Sequence, residues 1–348
     1  GEAINYEALS TSFILLSYKT INIHYCKVDL QLGGMFLKKL KEANIYFLVI
    51  LLLGIFSAYP LSYIFSILNI TDYRMRLFIT HLTIFIMPAI IYLLLSPRSI
   101  KDTLMINKLY FKDALLLILL AFVCQPMVTL LSLISQLVFP NNVAMVITSI
   151  IDTPYLLFLL LFAVMPAITE EITIRGVVLA GYDDENIFVS AVVTGLFFGI
   201  MHLDGQQFLY AVALGIILAL VVRITKSIFS SMIIHFIING TSVTLSKLME
   251  LLPASEEELQ TVSEVTLKNV PNSVVLGAIF FYAILTIICF VAIYFIFKKL
   301  ISLNIKRNIL TREEVRVKNS LMRSIKDVVN LPLVLIIGIY IIYMNFFS

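Results

Sequence analysis

Two adjacent glutamates and an arginine lie in a segment that is otherwise apolar. They follow the run LLFLLLFAVMPAI, with Glu170 and Glu171 together and Arg175 four residues after Glu171. Residues four apart share one face of a helix, so Glu171 and Arg175 are positioned to form an ion pair. Glu170 points about 100° away and has no such neighbour. A structural ion pair would explain two of the three residues, but a general base that activates water would also explain Glu170.

Two histidines lie in other apolar segments. His202 follows the run GLFFGIM, with Phe198 one turn before it, and His235 and Asn239 are four apart in the run MIIHFIING. Taken singly, His202 could be an interfacial anchor, and His235 with Asn239 could be an interhelical hydrogen-bonding pair worth about 1 kcal/mol. Together with Glu170 they supply a base, an electrophile and hydrogen-bond donors, which are the groups that hydrolysis of an amide by water requires.

Other designs for a protease or a ligand site are not found in the sequence. There is no His-Glu-x-x-His zinc motif, no Gly-x-Ser-Gly and no Gly-x-Gly-Asp. His81 lies in an apolar segment without a neighbouring carboxylate and is interpreted as structural. The three cysteines are far apart and predict neither a disulfide framework nor a metal site. No basic helix or phosphate-binding loop indicates nucleic acid or nucleotide binding.

The composition predicts that these residues lie in a membrane. Of the 348 residues, 60% are hydrophobic and 14% are charged, whereas a soluble domain carries about a quarter charged residues. Apolar segments lie near 45–68, 77–96, 113–138, 155–180, 187–203, 206–223, 227–249, 273–297 and 331–347. We therefore predict an all-α, polytopic transmembrane helix bundle with about 8–9 spanning helices, each of about 20 residues.

Charge and composition also predict the orientation and the domain organisation. If the N-terminus is cytoplasmic, helices that cross the membrane alternately place most Lys and Arg residues on the cytoplasmic side. Loops of membrane proteins usually carry their excess of Lys and Arg on that side. Residues 1–34 are more polar and end in two glycines, while Met35 opens a short basic stretch followed by an apolar helix. We interpret 1–34 as an N-terminal extension, upstream or non-native, and 35–348 as one transmembrane domain. The loop 250–268 is acidic and is interpreted as solvated.

Three motifs in this order resemble those of a known family. Glu-Glu-x-x-x-Arg-Gly at 170–176, Phe-x-x-x-His at 198–202 and His-x-x-x-Asn at 235–239 are similar to the motifs of the CPBP family. This family includes type II CAAX prenyl endopeptidases, bacterial Abi proteins, and bacteriocin-immunity and lysostaphin-resistance-like proteins. The resemblance covers about residues 155–245, so this part is expected to be the catalytic core of an intramembrane endopeptidase.

The resemblance implies a role for each matched residue. Glu170 would activate the attacking water, with Glu171 and Arg175 as its positioning neighbours. His202 would act on the water with Glu170 or stabilise the oxyanion. His235 and Asn239 would donate hydrogen bonds on the oxyanion side. The expected site residues are therefore Glu170, Glu171, Arg175, His202, His235 and Asn239. No cofactor is expected. The alternative is a zinc ion bound by Glu170, His202 and His235, and members of the family are often called metalloproteases.

The expected substrate is a membrane-associated peptide or protein, and the expected location is a bacterial cytoplasmic membrane. The alternative function is a non-proteolytic scaffold or immunity protein of the same fold that binds another membrane protein. One difficulty concerns depth in the bilayer, because straight helices with these boundaries would not bring Glu170, His202 and His235 to one level. We therefore predict either a break near Pro166 or Gly199 or different helix boundaries, with a conical cavity that opens to one side.

Overall fold

The computed structural model describes residues 38–251, 271–315 and 321–347, and every regular element within these ranges is helical. The predicted extension 1–34 lies outside the described residues, as does almost all of the acidic loop 250–268. The all-α architecture predicted from the sequence is confirmed.

Each predicted apolar segment is helical. The apolar helices are α1 (Lys38–Phe56), α2 (Ala58–Ile67), α3 (Tyr73–Leu95), α4 (Phe111–Gln136), α5 (Tyr155–Val178), α6 (Ile187–Ile200), α7 (Gly205–Thr225), α8 (Phe229–Glu250), α9 (Asn272–Lys306) and α10 (Leu331–Phe347). Short helices at Ile100–Thr103, Asn142–Ser149, Arg312–Val315 and Leu321–Val328 lie in the connections.

Six of these helices are long and apolar enough to cross a membrane, and α1 with α2 makes a seventh if that bent pair is one span. The pair is bent by 55° at Ser57. The helices α6 and α10 are shorter, and the 14 residues of α6 extend only about 21 Å. The protein is therefore an integral membrane protein, while the count of about 8–9 spanning helices and the cytoplasmic N-terminus stay predictions.

The helices α3 and α5 share an irregularity close to the candidate residues. Each contains a π-helical segment, Leu82–Ile86 in α3 and Leu160–Val164 in α5, and each segment is followed directly by Met-Pro. Proline has no backbone N–H to donate to the preceding turn, so a wider turn before it is expected. A second π-helical segment, Ile172–Val178, follows Glu171 in α5. Such segments are frequent at functional sites.

The helices α6 and α7 form a tight hairpin. Their contact is made through glycines: a Cβ placed on Gly215 would lie 2.8 Å from the Cα of Gly195, and one on Gly199 would lie 2.4 Å from a methyl group of Val212. The turn between them contains Leu203 with a φ of 52°. Backbones that approach this closely through small residues fix the position of the α6–α7 turn inside the bundle.

Candidate active site

The ion pair between Glu171 and Arg175 is present and completely buried. Arg175 Nη1 donates to Glu171 Oε1 at 3.1 Å, and both side chains are 0% exposed. The same carboxylate oxygen accepts from Nδ1 of His235 on α8 at 2.8 Å, and Arg175 Nη2 donates to the carbonyl of Gly215 on α7 at 3.3 Å. Because a buried charge without its partner costs about 3–5 kcal/mol, these contacts fix α5 against α7 and α8.

Glu170 is rotated from Glu171 around α5 and lies between two histidines. Its Oε1 is 3.9 Å from Nε2 of His81 on α3, and its Oε2 is 3.8 Å from Nε2 of His235. Both distances exceed a direct hydrogen bond. The side chain is 9% exposed, and Oε2 is buried without a hydrogen-bond partner among the described residues. A buried carboxylate in this state is available to take a proton from a third molecule.

The hydrogen bonds of the two histidines determine which nitrogen faces Glu170. The hydroxyl of Thr169 donates to the carbonyl of Met165 at 2.9 Å, so it accepts from Nδ1 of His81, which is 3.0 Å away. Nδ1 of His235 donates to Glu171. A neutral imidazole carries one N–H, so in both neutral rings the Nε2 that faces Glu170 carries a lone pair.

Phe198 lies at the centre of the site. Its ring contacts the guanidinium of Arg175, with Cζ 4.1 Å from the ring centroid. The same ring meets His202 and His235 edge-on, at centroid distances of 5.0 and 5.6 Å. The side chain is buried, and a desolvated cation over an aromatic face is worth about 2 kcal/mol. Phe198 therefore packs against His202, one turn later in the chain, and also against His235 and Arg175.

His202 lies in the α6–α7 turn rather than in a helix. The helix α6 ends at Ile200, and Nδ1 of His202 is 2.6 Å from the carbonyl oxygen of Phe198. The boundary predicted at 203 was therefore too late, and α5 continues through Pro166 as one span. The short α6 and its turn bring His202 to the Phe198 ring, which also contacts His235 and Arg175, so these residues come together without a break in α5.

Asn239 lies one turn after His235 on α8 and faces a different part of α5. Its Nδ2 donates to the carbonyl of Phe162 at 3.1 Å, within the first π-helical segment of α5. This contact is of the interhelical kind considered for the sequence. The structure gives Asn239 a positioning contact, and its predicted role as an oxyanion donor stays a prediction.

The structure thus brings Glu170, Glu171, Arg175 and His235 into direct proximity, with His202 joined to them through Phe198. His81, interpreted as structural from the sequence, lies beside Glu170 and within electrostatic range of His202 and His235. Its sequence neighbours contain no carboxylate, because Glu170 is on another helix. The available signal was only that a histidine inside an apolar span marks a functional candidate.

The positions of these side chains do not fit the alternative of a bound zinc ion. Within the described residues, no group of three or more His, Cys, Asp or Glu side chains is close enough together to hold a metal. His235 offers Nε2 towards Glu170, but the described contacts of His202 run to Phe198 and not to Glu170. The proposed ligand set of Glu170, His202 and His235 is therefore not assembled as a metal site.

Two cavities lie near the site without containing it. One, of about 450 Å³, is lined by residues of α5 and α8 that include Tyr155 and Gly240. The other, of about 290 Å³, lies between the α1–α2 pair and α3 and includes Ser57 and Arg76. Neither is lined by Glu170, His202 or His235, so the conical cavity expected around these residues stays a prediction.

Comparison with known proteins supports the resemblance seen in the motifs. Residues 152–241 match the family described as Type II CAAX prenyl endopeptidase Rce1-like. A search of the curated proteins and one of the solved structures each find no match. The matched segment runs from the start of α5 to the middle of α8, so it contains all six residues expected from the motifs. Residues 152–241 are therefore similar to the Rce1-like family, which is consistent with the resemblance of the three motifs to the CPBP and CAAX protease family.

Proposed function

We propose that this chain is an intramembrane endopeptidase that cleaves membrane-associated peptides or proteins, with Glu170 as the base that activates water. The observation that carries the proposal is the position of Glu170. Its carboxylate is nearly buried within a membrane span, and each oxygen faces the Nε2 of an imidazole, that of His81 at 3.9 Å and that of His235 at 3.8 Å. An ionisable group in this position is costly. A structural ion pair does not explain it, because Arg175 is bonded to Glu171.

The proposed reaction has two steps, and both use Glu170. Glu170 takes a proton from water while the water oxygen attacks the peptide carbonyl carbon, which forms a tetrahedral intermediate with a negative oxygen. Glu170 then returns the proton to the peptide nitrogen, the C–N bond breaks, and an acid and an amine are released. One group that takes and returns the same proton is sufficient for this cycle.

The neighbouring residues hold Glu170 and the reacting atoms in place. Glu171, neutralised by Arg175, accepts from His235 Nδ1 and so directs Nε2 of that ring towards Glu170. His202 uses Nδ1 on the carbonyl of Phe198, so it donates to an oxyanion from Nε2 only when both ring nitrogens carry protons. Preorganised donors of this kind are usually the largest contribution to stabilising such an intermediate.

We further propose that the reaction needs no metal, because the candidate ligands are not assembled as a metal site. Purified, active protein is expected to contain less than one zinc per chain by elemental analysis and to keep its activity after treatment with a chelator. Loss of activity with the chelator and recovery on adding zinc would contradict this part of the proposal while leaving the endopeptidase activity in place.

The central test compares membranes that contain the wild-type chain with membranes that contain the Glu170→Gln variant. Peptides are identified by mass spectrometry, and a Glu170-dependent cleavage is then reproduced with purified protein and a synthetic, internally quenched version of the peptide. We expect Glu170→Gln to lower kcat by on the order of a thousandfold or more, as expected for loss of a general base, without unfolding the protein.

Glu250→Gln is the matched control, because Glu250 is an exposed carboxylate at the end of α8 and binds Lys247. It is expected to behave like the wild type. Identical peptide patterns for the wild type and Glu170→Gln would exclude the proposed activity. If an immunity or resistance phenotype then survived in cells with Glu170→Gln, the scaffold alternative would be the correct one.

A further inference from the structure

The cavity between the α1–α2 pair and α3 combines an arginine with hydroxyl groups and apolar side chains. It has a volume of about 290 Å³, and its lining includes Arg76, the hydroxyl residues Ser57, Ser62 and Thr80, and the apolar residues Leu61 and Phe65. We call it the Arg76 cavity. It lies where the 55° bend between α1 and α2 separates α2 from α3.

Arg76 has no carboxylate partner among the described residues, unlike most arginines of the protein. Ion pairs of 3.1 Å or shorter join Arg74 to Asp152, Arg98 and Arg223 to Asp183, Arg175 to Glu171, and Arg307 to Asp113. Arg76 is half-buried at the start of a membrane span. A cation near the end of a span often extends to the membrane interface, but Arg76 is half-buried and lines the Arg76 cavity, where an anionic partner from outside the chain can reach it.

The guanidinium of Arg76 is already held in one orientation. Its Nε donates to the carbonyl of Ile70 at 2.7 Å, and its Cζ lies 5.7 Å from the centroid of the Phe65 ring. These contacts use Nε and one face of the group. The two Nη atoms are the donors that form a fork with a carboxylate or a phosphate, and an arginine held in advance loses less entropy when it binds one.

The Arg76 cavity adjoins the active site along two of its walls. Arg76, Thr80 and Ile84 follow one another at intervals of four along α3, and all three line the cavity; His81 directly follows Thr80. On the opposite wall, a Cβ on Gly54 would lie 3.2 Å from a methyl group of Leu203, the residue after His202. Five residues of helix, about 7.5 Å, separate Arg76 from His81, which an extended peptide covers in two or three residues.

We propose that the Arg76 cavity is a subsite of the protease that binds a carboxylate of the peptide substrate within a few residues of the cleaved bond. The inference rests on the proposed function. The carboxylate is either an Asp or Glu side chain or the peptide's own C-terminus, because the same guanidinium fork recognises both. The hydroxyl groups of Ser57, Ser62 and Thr80 supply further donors, and Leu61 and Phe65 contact the apolar part of the bound residue.

The test uses the peptide whose cleavage depends on Glu170, together with versions in which each carboxylate is replaced by an amide, one at a time. The C-terminal carboxylate and each acidic side chain are replaced separately, so the source of the bound carboxylate is identified. For the wild type, one amide replacement is expected to raise KM by about tenfold to a hundredfold, as expected for one charge-assisted hydrogen bond, with kcat nearly unchanged.

The Arg76→Gln variant is expected to have the same raised KM for the original peptide and to lose the distinction between carboxylate and amide. Arg76→Lys keeps the charge but not the fork, so an intermediate KM is expected. Arg74→Gln is the matched control: it removes a cation two residues away that is bound to Asp152, and it is expected to keep the wild-type preference.

Three results would overturn the subsite while leaving the protease in place. The first is a substrate without a carboxylate near the cut. The second is an Arg76→Gln variant that still prefers carboxylate over amide. The third is an equal loss of kcat for every peptide with Arg76→Gln, which would indicate binding of a lipid phosphate or a structural role. Failure of the proposed function is distinct, because it would show as equal activity of the wild type and Glu170→Gln.

Discussion

At the scale of single residues, the two oxygens of Glu170 have matched surroundings. Each faces the Nε2 of a histidine whose Nδ1 is bound elsewhere, to Thr169 in the case of His81 and to Glu171 in the case of His235. In the neutral rings these Nε2 atoms carry lone pairs, and the gaps of 3.8 and 3.9 Å exceed a hydrogen bond, so neither histidine occupies a lone pair of Glu170. The carboxylate therefore lies between the two rings with both oxygens free to react.

A prediction about His81 separates a positioning role from a structural one. In His81→Asn the amide replaces the donor to Thr169 but leaves nothing opposite Oε1 of Glu170. We expect kcat to fall by on the order of tenfold to a hundredfold, the usual consequence of a base displaced by about 1 Å, with KM and the thermal melting curve little changed.

The longer side chain of His81→Gln reaches towards Glu170, and this variant is expected to recover part of the lost kcat. Steady-state kinetics with the Glu170-dependent peptide measures both variants. If His81 served only to pack α3 against α5, both variants would melt earlier and kcat of the folded fraction would equal that of the wild type.

At the scale of helices, the site depends on how closely α6 approaches α7. Gly215 contributes its carbonyl to Arg175 and lies against Phe198, the ring that contacts both His202 and His235. Close packing on glycine therefore transmits the position of one helix hairpin directly to the catalytic side chains. The two π-helical segments of α5 act similarly, since one follows Glu171 and the other supplies the carbonyl that binds Asn239.

This packing predicts the effect of adding a single methyl group at Gly215. A Cβ on Gly215 would lie 2.8 Å from the Cα of Gly195 and 3.0 Å from the Cβ of Phe198, so Gly215→Ala must push α6 and α7 apart. Overpacking of this kind costs about 1–3 kcal/mol. We expect a lower melting temperature by far-UV circular dichroism, which suits a chain without Trp, and a marked loss of kcat.

Gly277→Ala in α9 is the matched control, because nothing lies within 4 Å of its added Cβ. Alanine is the better helix former by up to about 1 kcal/mol, so this variant is expected to be as stable as the wild type or slightly more stable. A normal melting temperature and normal kcat for Gly215→Ala would show that the α6–α7 contact yields more easily than its geometry indicates.

Much of this architecture was predictable from the sequence, since long apolar runs determine where helices form. The ends were less predictable: the run 273–297 becomes a helix that continues to Lys306, past Lys298 and Lys299, because a helix need not end where it leaves the apolar region. The bend at Ser57 does have a local signal, because Pro60 has no N–H to donate to the carbonyl of Phe56 four residues earlier. The close approach of α6 and α7, by contrast, depends on distant partners.

The candidate site also has features that were predictable from the sequence and features that were not. The pairing of Glu171 with Arg175 follows from spacing on one helix, and the structure shows it. The position of His81 beside Glu170 depends on the packing of α3, 89 positions earlier in the chain, which no local pattern encodes. The depth of His202 depends on a turn at Met201 and His202 that ended α6 earlier than the apolar run suggested.

At the scale of the whole molecule, orientation in the membrane stays a prediction with a direct test. Single cysteines are introduced as Thr71→Cys or Lys108→Cys, both at exposed positions in loops on opposite sides of the predicted span α3, after Cys26, Cys124 and Cys289 have been replaced. In intact bacterial cells, a membrane-impermeant maleimide is expected to label the Thr71→Cys variant, with the Lys108→Cys variant labelled only after lysis. The opposite pattern would reverse the predicted orientation.

The completely buried pair of Glu171 and Arg175 has a consequence for how the protein is made. A lone α5 would enter the bilayer with Glu170, Glu171 and Arg175 within six residues. Glu171 could still pair with Arg175, but the contacts with Gly215 of α7 and His235 of α8 would be missing. Insertion of α5 is therefore expected to be provisional until α7 and α8 have been synthesised and have docked against it. The stretch from α5 to α8, which contains the segment 152–241 that matches the family, is then expected to mature as a unit during synthesis.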